Sequence, residues 1–250
     1  MVRAMRRQVW WYRAVVYLSL ASLVWGQAVW PISSLVWRGS SDWQPSSAQA
    51  AVLTWDADGF SGGAQDGSGT WDTTTANWWD PSLSMNVPWN NTLPDSAVIG
   101  AGSGAAGTIT VSGTINVAGI TFAAPGSGNY TLSGGTLTLT SPTIDVASGL
   151  SPTIGSVIAG SVGLTKTGAG TLVLSGTNTF TGGITVTGGV LSVSADGNLN
   201  GTNNSILLNG GTLRNTASAQ VTPGTITIGS SGGTIDVAAS VGTSGPGRDG

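Results

Sequence analysis

Three pentapeptides, Gly188-Gly-Val-Leu-Ser192, Gly210-Gly-Thr-Leu-Arg214 and Gly232-Gly-Thr-Ile-Asp236, follow one another at equal spacing, and the related Gly168-Ala-Gly-Thr-Leu172 precedes the first of them at nearly the same interval. A glycine bend followed by an alternating strand, returning at nearly constant period, marks a chain wound into coils. One such coil holds two or three short strands and cannot bury its apolar face alone, so neighbouring coils must stack. Stacking sets like on like. Leu172, Leu191, Leu213 and Ile235 are expected to form an internal column, with Leu174 filling the core beside it. A β-sandwich of similar strand spacing gives no reason for the glycine-led strand to return at constant period. The expected fold is therefore all-β, a β-solenoid.

The alternation within each strand supports the same reading. Thr108-Ile-Thr-Val-Ser112, Thr136-Leu-Thr-Leu-Thr140, Thr171-Leu-Val-Leu-Ser175 and Leu191-Ser-Val-Ser194 send aliphatic side chains to one face and hydroxyls to the other. Threonine suits the wet face, because its branched Cβ fits a pleated surface without adding charge. Charged residues make up 8% of the chain, against about 25% in an ordinary globular domain. All eleven acids are Asp, Lys166 is the only lysine, and His and Cys are absent. Most catalytic chemistry is removed by that list alone. Without cysteine, stability must come from stacked hydrogen bonds and apolar burial.

The segment 1–28 differs from the rest. Arg3, Arg6, Arg7 and Arg13 precede an apolar run from Ala14 to Trp25, and Gly26-Gln27-Ala28 supplies small residues for cleavage, so 1–28 reads as a signal peptide. The run is too short for the roughly 20 residues of a membrane-spanning helix. Removing it leaves four basic residues against eleven Asp, a net charge of about −7, which disfavours nucleic acid as a partner. Residues 29–50 read as a linker. All eleven Trp fall at or before Trp89, so 51–104 is expected to be a Trp- and Asp-rich cap region and 105–250 the coiled repeat region.

The stretch Gly163-Leu-Thr-Lys-Thr-Gly-Ala-Gly-Thr-Leu-Val-Leu-Ser-Gly-Thr-Asn-Thr-Phe-Thr-Gly-Gly183, followed by Ile184-Thr-Val-Thr-Gly-Gly-Val-Leu191, closely resembles the autotransporter-associated β-strand repeat. Phe180 stands where Tyr is usual and Ile184 where Thr is common. The segment from Thr54-Trp-Asp56 through Trp71-Asp-Thr-Thr-Thr-Ala-Asn-Trp78 to Ser96-Ala-Val-Ile99 is similar to the Trp-rich stretch that precedes such repeats. The resemblance implies a right-handed parallel β-helix in a secreted bacterial passenger region. It also implies a C-terminal membrane barrel, whereas Gly242-Thr-Ser-Gly-Pro-Gly-Arg-Asp-Gly250 has no amphipathic strands of that kind. Membrane attachment is therefore expected only through an anchor or barrel outside this chain.

Each motif that imitates a site lacks a part. Gly102-Ser-Gly-Ala-Ala-Gly107 has the glycine spacing of a dinucleotide loop, but a strand follows instead of a helix and no acid appears until Asp145. Gly229-Ser-Ser-Gly-Gly233 has the spacing of a nucleophile elbow, with no His to take the proton. Asp56-Ala-Asp58-Gly59 opens like a calcium loop, yet Phe60 holds the fifth position and the closing Glu is missing. Asp56, Asp58, Asp66, Asp72 and Asp80 are accordingly expected in turns and solvated loops, with no metal and no cofactor. Paired carboxylates for glycoside cleavage are not placed: beyond residue 95 only Asp145, Asp196, Asp236 and Asp249 occur. Thr-x-Thr pairs at 165/167, 185/187 and 225/227 suggest an ice-binding hydroxyl array, but Ser205-Ile-Leu breaks the series.

The expected function is that of a non-enzymatic, exported passenger, secreted or at the bacterial cell surface or outer membrane, serving as stalk or adhesin-type scaffold. Its expected partner class is an extracellular glycan or the surface of a host or neighbouring cell. The alternative is a carbohydrate-binding module in which Trp55, Trp71, Trp78, Trp79 and Trp89 stack on sugars.

Overall fold

The computed structural model describes residues 50–59, 63–201, 204–217 and 224–237. The expected signal peptide, and the expected linker but for Ala50, lie outside these residues. The N-terminal strands are β1 (Val52–Trp55), β2 (Gly69–Trp71), β3 (Trp78–Asp80) and β4 (Met85–Val87). Coils of three strands follow: β5 (Ser96–Ile99), β6 (Thr108–Val111) and β7 (Thr114–Val117); β8 (Gly119–Phe122), β9 (Thr131–Ser133) and β10 (Thr136–Leu139); β11 (Thr143–Val146), β12 (Thr153–Ile154) and β13 (Val157–Ala159). After them each coil has two strands: β14 (Leu164–Thr167) and β15 (Thr171–Leu174), β16 (Ile184–Val186) and β17 (Val190–Val193), β18 (Ile206–Leu208) and β19 (Thr212–Asn215), β20 (Ile226–Ile228) and β21 (Thr234–Val237).

Each strand pairs with the strand one coil away, and the coils stack into walls. A ten-stranded wall runs β20-β18-β16-β14-β11-β8-β5-β1-β3-β4, an eight-stranded wall runs β2-β6-β9-β12-β15-β17-β19-β21, and a three-stranded wall runs β13-β10-β7. All pairings are parallel except β1 with β3 and β3 with β4. The chain is thus the all-β, parallel solenoid expected. Strands on both sides of residue 104 share the two large walls, because β5 pairs with β8 and β2 with β6.

The core lies between the walls and is built of register lines. On the eight-stranded wall Leu172, Leu191, Leu213 and Ile235 are successive partners. The first three are buried, while Ile235, on the last described strand, is 50% exposed. Leu174 lies on the neighbouring line with Ile154 and Val193, all buried. Burial of each such aliphatic side chain contributes roughly 1.5–3 kcal/mol. Parallel pairing makes every inward position extend a line, so the alternation becomes a continuous apolar column.

The third wall ends at β13, and asparagine side chains take over its hydrogen bonds. Asn178 Oδ1 accepts from the Ile158 N–H at 2.8 Å, and Asn178 Nδ2 donates to the Asn198 carbonyl at 2.7 Å. Asn198 in turn donates to the Gly176 carbonyl at 3.0 Å and accepts from the Ser194 and Ala195 N–H groups. Local, left-handed turn roles are what Thr177-Asn-Thr179 and Leu199-Asn-Gly201 suggest by sequence. Asn200 does hold a left-handed φ of 60°. Asn178 instead is buried and bridges coils, an amide standing in for the missing strand.

At the N-terminal end the indoles of Trp55, Trp71, Trp78 and Trp89 form a buried cluster with centroid separations of 4.6–5.4 Å. Trp55 Nε1 donates to the Gly67 carbonyl and Trp89 Nε1 to the Asn116 carbonyl. Trp79 neighbours Trp78 on β3, so alternation turns it to the opposite, outer face, where it is half-buried. Stacking on a sugar needs an open ring face. Trp55, Trp71, Trp78 and Trp89 have none, at 0–2% exposure, and pack in the core, so the alternative of sugar stacking has no open ring at these four.

Candidate functional surface

Alternation exposes one hydroxyl-rich face on each large wall. On the ten-stranded wall Thr143, Thr165, Thr185, Leu207 and Thr227 are successive partners along one outer register line. Leu207 interrupts the threonine row, which removes the regular array that ice recognition would require. A shallow recess of about 300 Å³ opens on this face beside Gly182, Thr185, Ser205 and Thr227. Beyond it the outer carboxylates are held individually: Asp145 Oδ1 accepts from Thr167 Oγ1 at 2.6 Å, and Asp236 Oδ2 pairs with Arg214 Nε at 2.7 Å. The Arg214–Asp236 pair is half exposed, where such pairs contribute about 0–1 kcal/mol.

The motifs that imitate sites fall into bends. Gly102–Gly107 lies in the loop between β5 and β6, and Gly229–Gly233 in the turn between β20 and β21. Among the described residues no three or more Asp, Glu, His or Cys side chains converge as a metal-holding group. Asp72 Oδ1 accepts from the Thr74 and Thr75 N–H groups at 2.8 and 2.6 Å, and Asp80 Oδ1 accepts from the Ser82 N–H at 2.8 Å. These two are Asx turns. Their hydrogen bonds hold the Asp72 carboxyl below its ordinary range against the opposing effect of burial. Asp66 Oδ1 accepts from Tyr130 Oη at 2.9 Å, and the same Oη accepts from the Gly67 N–H. Burial first, then the Asp66 carboxylate, raises the Tyr130 pKa.

The sequence reading has no role for Lys166, and the structure supplies one. On the ten-stranded wall an inner register line runs Ile120, Ile144, Lys166, Val186, Leu208. Lys166 therefore occupies an aliphatic position, and its relative exposure is 0%. Its Nζ donates to the carbonyl oxygens of Thr167 at 2.6 Å, Gly168 at 2.9 Å and Gly188 at 3.2 Å. Three donors meet three acceptors, which is how a buried ammonium is made tolerable. The clamp binds the bend after β14 to the bend after β16, one coil on. Gly168, with φ of +73°, supplies the left-handed turn that aims its carbonyl at the ammonium. Desolvation still lowers the Lys166 pKa to about 8, with Asp145 opposing the shift. The signal was present in the strand pattern, since Leu164 and Lys166 share parity in Leu164-Thr-Lys-Thr167.

A family profile described as Passenger-associated-transport-repeat matches residues 164–193. The matched segment begins at the first residue of β14 and ends at the last residue of β17. It therefore spans whole coils and contains the lysine clamp. The adhesin BmaC autotransporter of Brucella suis biovar 1 (strain 1330) is 44% identical over 178 residues, which cover 69% of this chain and 5% of that relative. No solved structure matches.

Proposed function

The chain is a β-repeat protein of the autotransporter-passenger kind, and from that premise we propose that it is an exported, non-enzymatic scaffold whose outer walls serve adhesin-type contact at the bacterial surface. One observation carries the reading: the passenger-repeat match spans coils whose inward positions are committed to core packing and the lysine clamp and whose outward positions are mainly hydroxyls. Such a wall offers many weak polar contacts. Its proposed partner is an extracellular glycan or a cell surface.

The mechanism of such a scaffold is geometric. Each coil fixes its outer side chains through the register of its neighbours, so contacts are preorganised and cost little ordering entropy on binding. A row of equivalent positions then gains affinity by number. Beads coated with the full chain should be retained on host-type cell monolayers, and soluble chain should release them. Retention no better than that of albumin-coated beads would refute the adhesive role.

A further inference from the structure

The recess on the ten-stranded wall has a chemistry of its own. Its rim includes the bend before β16, Gly182-Gly183, whose φ angles of 96° and 84° are left-handed. A Cβ on Gly183 would stand 3.4 Å from Ser205 Oγ, so glycine keeps this rim open. Among the described residues the Gly182 and Gly183 N–H groups meet no acceptor. The hydroxyls of Thr185, Ser205 and Thr227, which also line the recess, are likewise unengaged among the described residues. Elsewhere on the solenoid Thr140, Thr187 and Thr216 each turn their hydroxyl to a carbonyl oxygen of the chain. Leu207, the register neighbour of both Thr185 and Thr227, sets an outward apolar surface between those two hydroxyls. Among the described residues that line the recess none is charged.

An apolar surface flanked by hydroxyls and unpaired amide donors, with no charge, matches one class of ligand. Resting on the adhesive reading above, we propose that this recess binds a single neutral pyranose unit of an extracellular glycan. A neutral sugar is a ring with an apolar C–H face and a girdle of hydroxyls that both donate and accept. Leu207 meets the C–H face, and the threonine and serine hydroxyls exchange hydrogen bonds with the girdle. The two glycine N–H groups only donate, so they select the side of the ring that presents oxygen lone pairs. Neighbouring strands stand about 4.8 Å apart, which sets Thr185 and Thr227 roughly 10 Å apart along the axis. One ring fits between them with a hydrogen bond at either end. Ligand pockets begin at about 300 Å³, and a recess of this volume admits one ring rather than several. Without Arg or Lys it offers no partner to the carboxylate of a sialic or uronic acid. A single open site of this kind binds weakly, at about millimolar Kd, and firm adhesion follows from many copies on one surface.

The test is saturation-transfer difference NMR on the full chain, irradiated in the methyl region. The probes are the methyl glycosides of glucose, galactose and mannose, with glucuronic acid as the charged comparison. Wild type should transfer saturation to the ring C–H protons of at least one neutral probe and only weakly to glucuronic acid. Leu207→Thr completes the threonine row and removes the apolar surface, and should weaken binding of that probe roughly fivefold or more. Thr185→Val keeps the branched frame without the hydroxyl and should weaken it roughly two- to tenfold. Both positions face outward, so both variants should keep the wild-type circular dichroism spectrum; if one misfolds, the other decides. No transfer to any neutral probe from folded wild type, equal transfer to glucuronic acid, or an affinity unchanged in the folded variants overturns the proposal. Bead retention that persists without sugar transfer overturns this site alone, whereas sugar transfer without bead retention supports the site and refutes only the adhesive reading.

Discussion

Removing the Lys166 charge should change how the stability of the solenoid depends on pH. In the unfolded chain this amine titrates near its ordinary 10.5, and in the folded protein near 8. A base whose folded pKa is depressed is less protonated when native, so the unfolded state takes up more protons between the two values. Stability then rises with pH across that window. For a single group with these two pKa values, the gain from pH 7 to pH 9.5 is about 2 kcal/mol. Its origin is the cost of holding an ammonium in an aliphatic register line, reduced but not cancelled by three carbonyl acceptors. Lys166→Met keeps an unbranched apolar stem and removes the proton. Guanidinium unfolding followed by far-ultraviolet circular dichroism at pH 7, 8, 9 and 9.5 should show wild-type stability climbing by about 2 kcal/mol while the variant stays level. The window stops below pH 10 because Tyr130, with its pKa raised, then acts in the opposite sense. A wild-type profile that is flat or falling would refute the reasoning, as would an equal slope in Lys166→Met.

Trp78→Ala should cost about 3–5 kcal/mol, since it opens a cavity among three other indoles, whereas Trp79→Ala should cost less than about 1 kcal/mol; chemical denaturation of both variants checks the contrast. Asn178→Ala leaves the buried Ile158 N–H and the Asn198 carbonyl without this partner, and should lower stability by about 2–4 kcal/mol, with faster amide exchange at Ile158 than in wild type. Gly113→Ala meets no atom within 4 Å but must hold a φ of +71°, so its loss of about 1 kcal/mol isolates the backbone term. Gly168→Ala adds a clash with the Val146 carbonyl to the same backbone term, and should cost roughly 3 kcal/mol in the same assay.

The coiled architecture was legible because its strands repeat both a local and a long period. Alternation assigns inside and outside within a strand such as Thr171–Leu174, and the equal steps from Gly188 to Gly210 to Gly232 match the register that joins Leu191 to Leu213 to Ile235. The step from Leu172 to Leu191 is shorter than either of these. There the Gly-Ala-Gly bend carries one residue more than the later Gly-Gly bends, so the spacing between motif starts overstates the coil. Less legible was the N-terminal end, whose strands β2, β3 and β4 have three residues each. Strands that short cannot establish a period, and the inward Trp78 could not be told from the outward Trp79. The buried amides of Asn178 and Asn198 were hidden for a different reason. Their partners lie a full coil away along the chain, and no local pattern announces a side chain that replaces a strand. Asp56, fully buried after β1, was misjudged through residue type, because a charge is ordinarily read as solvated, and Lys166 was left without a role. For Lys166 the parity of its strand outweighs that habit.

The outer row of Thr143, Thr165, Thr185 and Thr227 has a consequence for anything that touches it. Stacked strands stand about 4.8 Å apart, so the wall is a lattice of nearly equivalent steps along the solenoid axis. A molecule matched to one step is matched almost as well to the next, and it can shift along the wall without losing its contacts. Register with such a ligand is set where the equivalence fails. Leu207 is that place on this face: an apolar notch in a polar scale, which gives a sliding partner a position to stop.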